Sequence, residues 1–533
     1  MGQCPASIAV ATGLPSGGAY QPGGTVTKPL AARRRAEHAH YRRGNGHCCG
    51  RMDFGKLSPS RGISWGPSRR TSLWWVALFL VLTALVSIST PPLRSPDEID
   101  HIRRAYLLTR GTLVLKTGTV DGEKNTVNAS GGEIDTGLDA FLMYHLGHIG
   151  KPDTADIHIR DSEYNALRWT GQTAFRPAPG TSYYLPLLYA PQATALLLGE
   201  RMHLTIQDSY QLARAFSSLA CFALLGLAFI LYPVNLGVLA LISLPMSLFQ
   251  MASASLDGVS NALAIVCIAV FMRLYSSRVR NSVGPLSIWC LGLWALLSCR
   301  PHLLPMVGLP FMVYLQSRQR SQLVVGIVTL VAVLTWFWIA VSATSDPRAQ
   351  LGQSASALVR QYVNHPSEFF VVLWQTLSSA ENIKFYWQSF IGILGWLELP
   401  LPGWTYSVIT AAGVLLLAAG IRTTSTTEIW NAGWCLTVVA ITATLLVFFA
   451  LLVTWTPHPA SMVRGVQGRY FFIPCVLMVY AWQAPLFHMR VWQLRICSAG
   501  LLAFIAFNAI ILISTLQQRY PLTWATAMLR MSN

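Results

Sequence analysis

The sequence predicts an all-α, polytopic membrane protein of about eleven transmembrane helices, with about 10 to 13 as the range, and a long first outer loop carrying interfacial helices. Two composition figures and one pattern lead there. Only 11% of the 533 residues are charged and 53% are hydrophobic, with mean hydropathy +0.44. A soluble domain carries roughly 25% charged residues. Apolar runs long enough to cross a bilayer then recur along most of the chain. The net charge of +17 is therefore not a nucleic-acid signal, because much of it sits in the leading segment and in short loops where it sets topology.

Residues 1–72 are rich in Gly, Ser, Pro and Arg, hold eleven Lys/Arg against Glu37 and Asp53, and show no periodic apolar face. They read as a disordered, basic cytoplasmic tail. Within it, HAHYRRGNGHCC lacks any standard zinc spacing. No signal peptide is expected, since the first apolar segment starts near residue 73 and would stay as an anchor. Leu73 to Ser89 is the first span, and the basic segment before it places its N-terminus inside.

Later apolar runs lie near 212–232, 236–252, 258–275, 285–299, 301–316, 323–343, 405–421, 431–454, 470–486 and 495–514. One more, Tyr183 to Gly199, is ambiguous, and parity bears on it. If it does not cross, the inside loops and their edges carry Arg273, Arg278, Arg280, Arg318, Arg320, Arg422, Arg490 and Arg495. If it crosses, those arginines move outside, against the positive-inside tendency. Eleven spans follow, with 183–199 lying along the surface or re-entering. Outer loops then cover 90–211 and 344–404, the transmembrane domain runs over 73–515, and 516–533 is a short C-terminal tail. The first outer loop holds 14 of the chain's 22 acidic residues. The second is aromatic throughout and predicts one or two interfacial helices.

Chemically capable residues collect at the outer ends of the spans: Asp97, Glu98, His101 and Arg104 in PPLRSPDEIDHIRR, Asp257 in SASLDG, Arg300 in CRPH, and Arg464 and Arg469 in VRGVQGRY. A carboxylate there suits a general base or a divalent-cation ligand. A helix over 97–108 starting after Pro96 puts Asp97, His101 and Arg104 on one face. The competing reading of SPDE is a helix start whose acids serve the helix dipole. Arginines at an outer membrane face suit a lipid-linked phosphate, or else ordinary headgroups. Asp257 is either a metal ligand with Asp97 or a helix-start acid.

SPDEIDHIRRAYLLTRG resembles the opening motif of the bacterial membrane-protein family called domain-of-unknown-function family 2142. RPAPGTSYYLPLLYAPQ, SASLDGVSNALA, CRPHLLPMVGLP, ILGWLELPLPGWTY and GVQGRYFFIP follow in the family's order, together covering about residues 73–515. That family is similar to the GT-C superfamily of integral-membrane glycosyltransferases, whose members place a catalytic Asp in the first outer loop, often beside a second acid, and use polyprenyl-phosphate-linked sugars. The resemblance implies an inverting transfer in the inner membrane, from a polyprenyl-phosphate sugar to a cell-envelope glycan, a lipid-linked saccharide or a protein. Asp97 is then the base with Glu98 as its backup and His101 as an orienting or tuning group. Arg469, Arg300 and Arg464 face the donor phosphate. No cofactor is fixed, and a divalent cation at Asp257 with Asp97 stays open. The alternatives are a lipid-glycan flippase, which predicts interrupted helices and ionisable residues in mid-span, and a non-catalytic polysaccharide assembly factor.

Overall fold

A computed structural model describes residues 66–121, 126–151, 161–276, 283–346, 351–423 and 426–521. The expected tail at 1–65 and the end of the chain beyond 521 lie outside these. Helix α1 (Gly66–Ile88) begins seven residues inside the segment expected to be tail, so the first helix starts earlier than its apolar run.

Every apolar run contains helix. Among the described residues, five helices are long and apolar enough to cross a membrane by length and composition: α5 (Ile206–Leu231), α8 (Leu256–Ser276), α11 (Arg320–Ala343), α16 (Thr427–Thr454) and α18 (Val491–Arg519). Shorter apolar helices accompany them at 73–88, 284–297, 403–419 and 468–482. This is a multi-pass, mostly helical membrane protein.

Two runs expected as single spans are broken. Residues 236–251 form two seven-residue helices, α6 (Leu236–Ile242) and α7 (Pro245–Met251), with Leu244 extended between them. Pro245 has no N–H to continue the ladder and disfavours helix at the residue before it. Pro301 and Pro305 likewise hold 301–307 as 3₁₀ helix ahead of α10 (Gly308–Ser317). Helix α8 is buried over nearly all its length and is apolar all round, as a central helix must be.

The region between α1 and α5 is not only helical. α2 (Glu98–Thr109) and α3 (Thr136–Leu146) flank an antiparallel sheet of β1 (Lys116–Asp121), β2 (Thr126–Asp135) and β3 (Thr173–Pro177) in that order. Lys116 pairs with Gly131, and Gly131 with Pro177. The sheet differs from the interfacial helices expected there. Its strands are mostly polar, as in KTGTVD, and contain threonine and valine, which favour strand over helix. Asp135 joins sheet to helix, accepting from Gly137 N (2.9 Å), Leu138 N (3.1 Å), Thr170 N (3.0 Å) and Gly171 N (2.8 Å).

The ambiguous stretch 183–199 becomes a 3₁₀ turn (Pro186–Tyr189) followed by α4 (Ala190–Arg201). The twelve residues of α4 reach about 18 Å, short of a hydrocarbon core of about 30 Å. Its C-terminal Glu200 pairs with Arg110 at the end of α2, which keeps it in the same layer. The later region 344–404 holds three helices, α12 (Ala355–Asn364), α13 (Pro366–Ser378) and α14 (Ala380–Ile391), and a two-residue hairpin of Ile393–Leu394 with Leu399–Pro400. That is one helix more than its aromatic content suggests.

Candidate functional site

The segment after α1 is fastened to α5 before it reaches its acidic residues. Arg214 of α5 is 1% exposed and donates to Thr90 O (2.7 Å) and Pro91 O (2.9 Å). The Leu93 amide donates to the Tyr210 hydroxyl (2.9 Å), and the Trp396 indole donates to Leu93 O (2.9 Å). These bonds satisfy backbone groups that a loop at a membrane end leaves orphaned.

Asp97 and Glu98 then part company. Glu98 is fully buried, accepts from the Ala254 amide (2.8 Å) and pairs with Arg214 (3.4 Å). It ties the segment to the loop before α8. Asp97 sits at the N-terminal boundary of α2 with φ 60° and ψ 7°, a left-handed conformation that Asp tolerates better than most residues. Its side chain makes no cap hydrogen bond, although a helix does start here, with Glu98 and Asp100 in its first turn. The same backbone removes it from the helical face expected for Asp97, His101 and Arg104. Between Pro92 and Leu107, Asp97 alone is exposed, with 54% of its side chain accessible.

Four residues from four separated motifs meet here. Arg469 donates Nη2 to Asp97 Oδ2 (3.2 Å) and Nη1 to Asp257 Oδ2 (3.1 Å). Arg300 pairs with Asp257 Oδ1 and also holds the Ser260 hydroxyl (3.2 Å). Gln250, on α7, donates to Asp257 Oδ2 (2.9 Å). Two guanidinium groups thus face two carboxylates, and the cluster is charge-balanced. It borders a cavity of about 10 Å³ between Asp257, Arg300, His302, Arg469 and Tyr470, about the space of one water. The Nε of Arg469 is buried without a partner among the described residues.

Local sequence explains how the arginine gets there. Arg469 follows Gly468, where a side chain would run into the Tyr386 carbonyl and the Phe390 backbone of α14. Only a glycine lets the chain lie that close, and the next residue is driven inward to 8% exposure.

The surroundings of Asp257 do not suit a divalent cation. Calcium and magnesium take oxygen ligands, whereas both oxygens of Asp257 already accept from nitrogen donors, two of them on cations. Among the described residues no group of three His, Cys, Asp or Glu lies close enough to hold a metal.

His101 is buried beside the cluster. Its Nδ1 shares a hydrogen bond with the Tyr189 hydroxyl (2.7 Å), and its ring stacks on Tyr184 at 6.4 Å between centroids. Burial lowers its pKa to about 4, with the Asp257 and Asp97 charges opposing the shift. It is a neutral imidazole at pH 7, bonded to tyrosine and not to Asp97. The unfolded histidine, at about 6.5, binds a proton that the folded site refuses, so stability is full above pH 6.5 and falls as pH drops towards 4. Replacing His101 with Gln is expected to flatten the pH 4–6.5 slope of the thermal midpoint in detergent. An unaltered slope would refute this role.

Arg464 stands apart. It is exposed, and its amide donates to Thr456 Oγ1 (3.0 Å). Arg104 turns away too, donating to Leu113 O and Tyr184 O (3.2 Å). Arg214, Gln250, Ser260 and Tyr189 belong to the site's support, and none stands out in the sequence. A lone arginine near the start of the 212–232 run and a lone glutamine in 236–252 were the available signals.

The family of predicted membrane proteins named DUF2142 matches residues 79–479. The chain belongs to the DUF2142 family. No curated protein matches it. A solved structure, ArnT from Cupriavidus metallidurans bound to undecaprenyl phosphate, is similar over 83% of this chain and 78% of its own, at 15% identity and a TM-score of 0.29. That likeness is too loose to place residues. In this DUF2142 protein the four-residue ion cluster draws on the motifs at 97, 257, 300 and 469, so the matched region includes the whole site.

Proposed function

We propose that this protein is an inverting GT-C-type glycosyltransferase of the inner membrane, moving a sugar from a polyprenyl-phosphate donor to a cell-envelope acceptor on the extracytoplasmic face. The observation that carries the proposal is the half-exposed Asp97 carboxylate on an arginine whose Nε has no hydrogen-bond partner among the described residues. Nε and Nη2 form one edge of a guanidinium, a fork that matches two phosphate oxygens. A donor phosphate docking on that edge takes Nη2 from Asp97. The freed carboxylate then accepts the proton of the acceptor hydroxyl as its oxygen attacks the anomeric carbon. The bond from that carbon to the phosphate oxygen breaks, its electron pair stays on the phosphate, and polyprenyl phosphate departs. Arg469 and Arg300 face the charge that develops there, which is where preorganised cations act most strongly. Asp257 holds both arginines in place. Attack from the side opposite the phosphate inverts the anomeric centre.

The test is turnover of a radiolabelled polyprenyl-phosphate sugar by the purified protein with envelope saccharide acceptors. Absence of transfer to any acceptor, from a folded protein that binds the donor, leaves the assembly-factor role standing instead. Arg469→Lys keeps the charge and loses the fork. It is expected to raise the donor KM about tenfold or more, the equivalent of one charge-assisted hydrogen bond. A KM unchanged in this variant removes the phosphate from Arg469.

The flippase alternative gains one feature, the interrupted helices at 236–251 and 301–317. Transporters set ionisable residues at such breaks near the midplane. Here the break between α6 and α7 falls at Ser243 and Leu244, with no ionisable residue from Leu236 to Met251. The second break does carry ionisable residues, Arg300 and His302, but Arg300 pairs with Asp257 in the first turn of α8 and so joins the cluster at the helix ends, which favours chemistry at one membrane face.

A further inference from the structure

A second cavity, of about 550 Å³, opens between α14 and the loop that leads into Arg469. Its size falls in the range of about 300–1,000 Å³ usual for small-molecule sites. We infer that it binds a saccharide bearing one anionic group, a carboxylate or a phosphate, through Arg464, Gln467 and Asn382. The binding stands on this cavity alone; naming its occupant the acceptor rests on the transfer reading above.

The polar groups of the wall specify the ligand. Arg464 is exposed at the cavity, and among the described residues its guanidinium has no partner. It is the cavity's cation, in contrast to Arg469 and Arg300, whose charges are already matched by Asp97 and Asp257. The Oε1 of Gln467 is buried with no partner among the described residues, an unfavourable state that a ligand donor would relieve. Asn382 spends its Nδ2 on Thr376 O (3.1 Å), which leaves its carbonyl oxygen to accept. Two side-chain acceptors ask for hydroxyl donors, and one cation asks for an anion. Phe385 and Tyr386 add aromatic wall, on which the apolar faces of a sugar ring pack. A lipid tail would leave the acceptors unsatisfied, and a bare inorganic anion would leave the aromatics uncovered.

The cavity is also mechanically joined to the ion cluster. Gln467 lines it, Arg469 lies two residues on, and Gly468 between them is pressed against α14 and donates its amide to Ser389 Oγ (2.8 Å). A ligand held at Gln467 is therefore held close along the chain to the residue that grips Asp97.

Isothermal titration of the full-length protein in detergent tests this with glucuronic acid, glucose 6-phosphate and neutral glucose. At least one of the two anionic sugars is expected to bind about tenfold more tightly than glucose, and which one does identifies carboxylate or phosphate as the anion. Arg464→Gln should erase that tenfold preference and leave glucose binding unchanged. Ser461→Trp, which fills the cavity from its exposed side, should abolish binding of all three. Asp97→Asn should bind them as the native protein does. Absence of transfer by the native protein, with sugar binding intact, defeats the transfer reading alone. Transfer that proceeds while no sugar binds, or while Arg464→Gln and Ser461→Trp leave binding untouched, overturns the cavity inference.

Discussion

Asp97→Asn is expected to lower sugar transfer by about 10²–10⁴-fold, the usual contribution of a general base, while the protein folds and binds donor normally. The amide keeps the volume and an oxygen for Arg469, but it accepts no proton. The stability change should stay below about 1 kcal/mol, because the Asp97 carboxylate is 54% exposed and an ion pair at such a site is weak. Turnover of radiolabelled donor measures the first effect, and the thermal midpoint in detergent measures the second. Transfer within threefold of the native rate would mean that Asp97 merely anchors Arg469. A large fall in thermal midpoint would mean that lost activity reports unfolding.

Much of this architecture was legible from hydrophobic periodicity. Each apolar run became helix because a chain in a bilayer has to satisfy its own backbone groups, and composition alone shows where those runs lie. Charge bias in the loops suggests one end for the motifs of Asp97, Asp257, Arg300 and Arg469, and in the fold these four side chains meet. What stayed hidden was local. Pro245 and Pro301 interrupt runs whose apolar content reads as continuous. The sheet at 116–177 carries polar strands with no apolar face to mark them. The left-handed backbone at Asp97 was beyond reach, since a sequence pattern assumes the helix it is trying to detect. The parting of the two adjacent carboxylates needs no such knowledge, since neighbours at a helix start point in different directions; it leaves one half-exposed and the other buried. It also makes Glu98 a poor substitute for Asp97, because the Glu98 side chain faces Arg214 and not Arg469.

Glu98→Ala should therefore act in the opposite way to Asp97→Asn. It leaves the Arg214 guanidinium, 1% exposed, with carbonyl oxygens and Tyr210 as partners but no counter-charge, and strips the Ala254 amide of its acceptor. Removing one member of a buried pair costs about 3–5 kcal/mol, a large part of the stability of an ordinary domain. The thermal midpoint and the yield of folded protein should both fall sharply. A double change, Glu98→Leu with Arg214→Met, removes the stranded charge as well and should recover much of that stability, since apolar replacement of a whole buried pair is often neutral. It should not recover transfer. Arg214 also holds the carbonyls of Thr90 and Pro91, and without it the segment carrying Asp97 loses its fixed approach to Arg469. A misplacement of about 1 Å is enough to cost a reaction 10²-fold. If the double variant regained both stability and transfer, the buried pair would have no part in placing the base. If Glu98→Ala were as stable as the native protein, the clamp on this segment would lie elsewhere, in the Tyr210 and Trp396 bonds to Leu93.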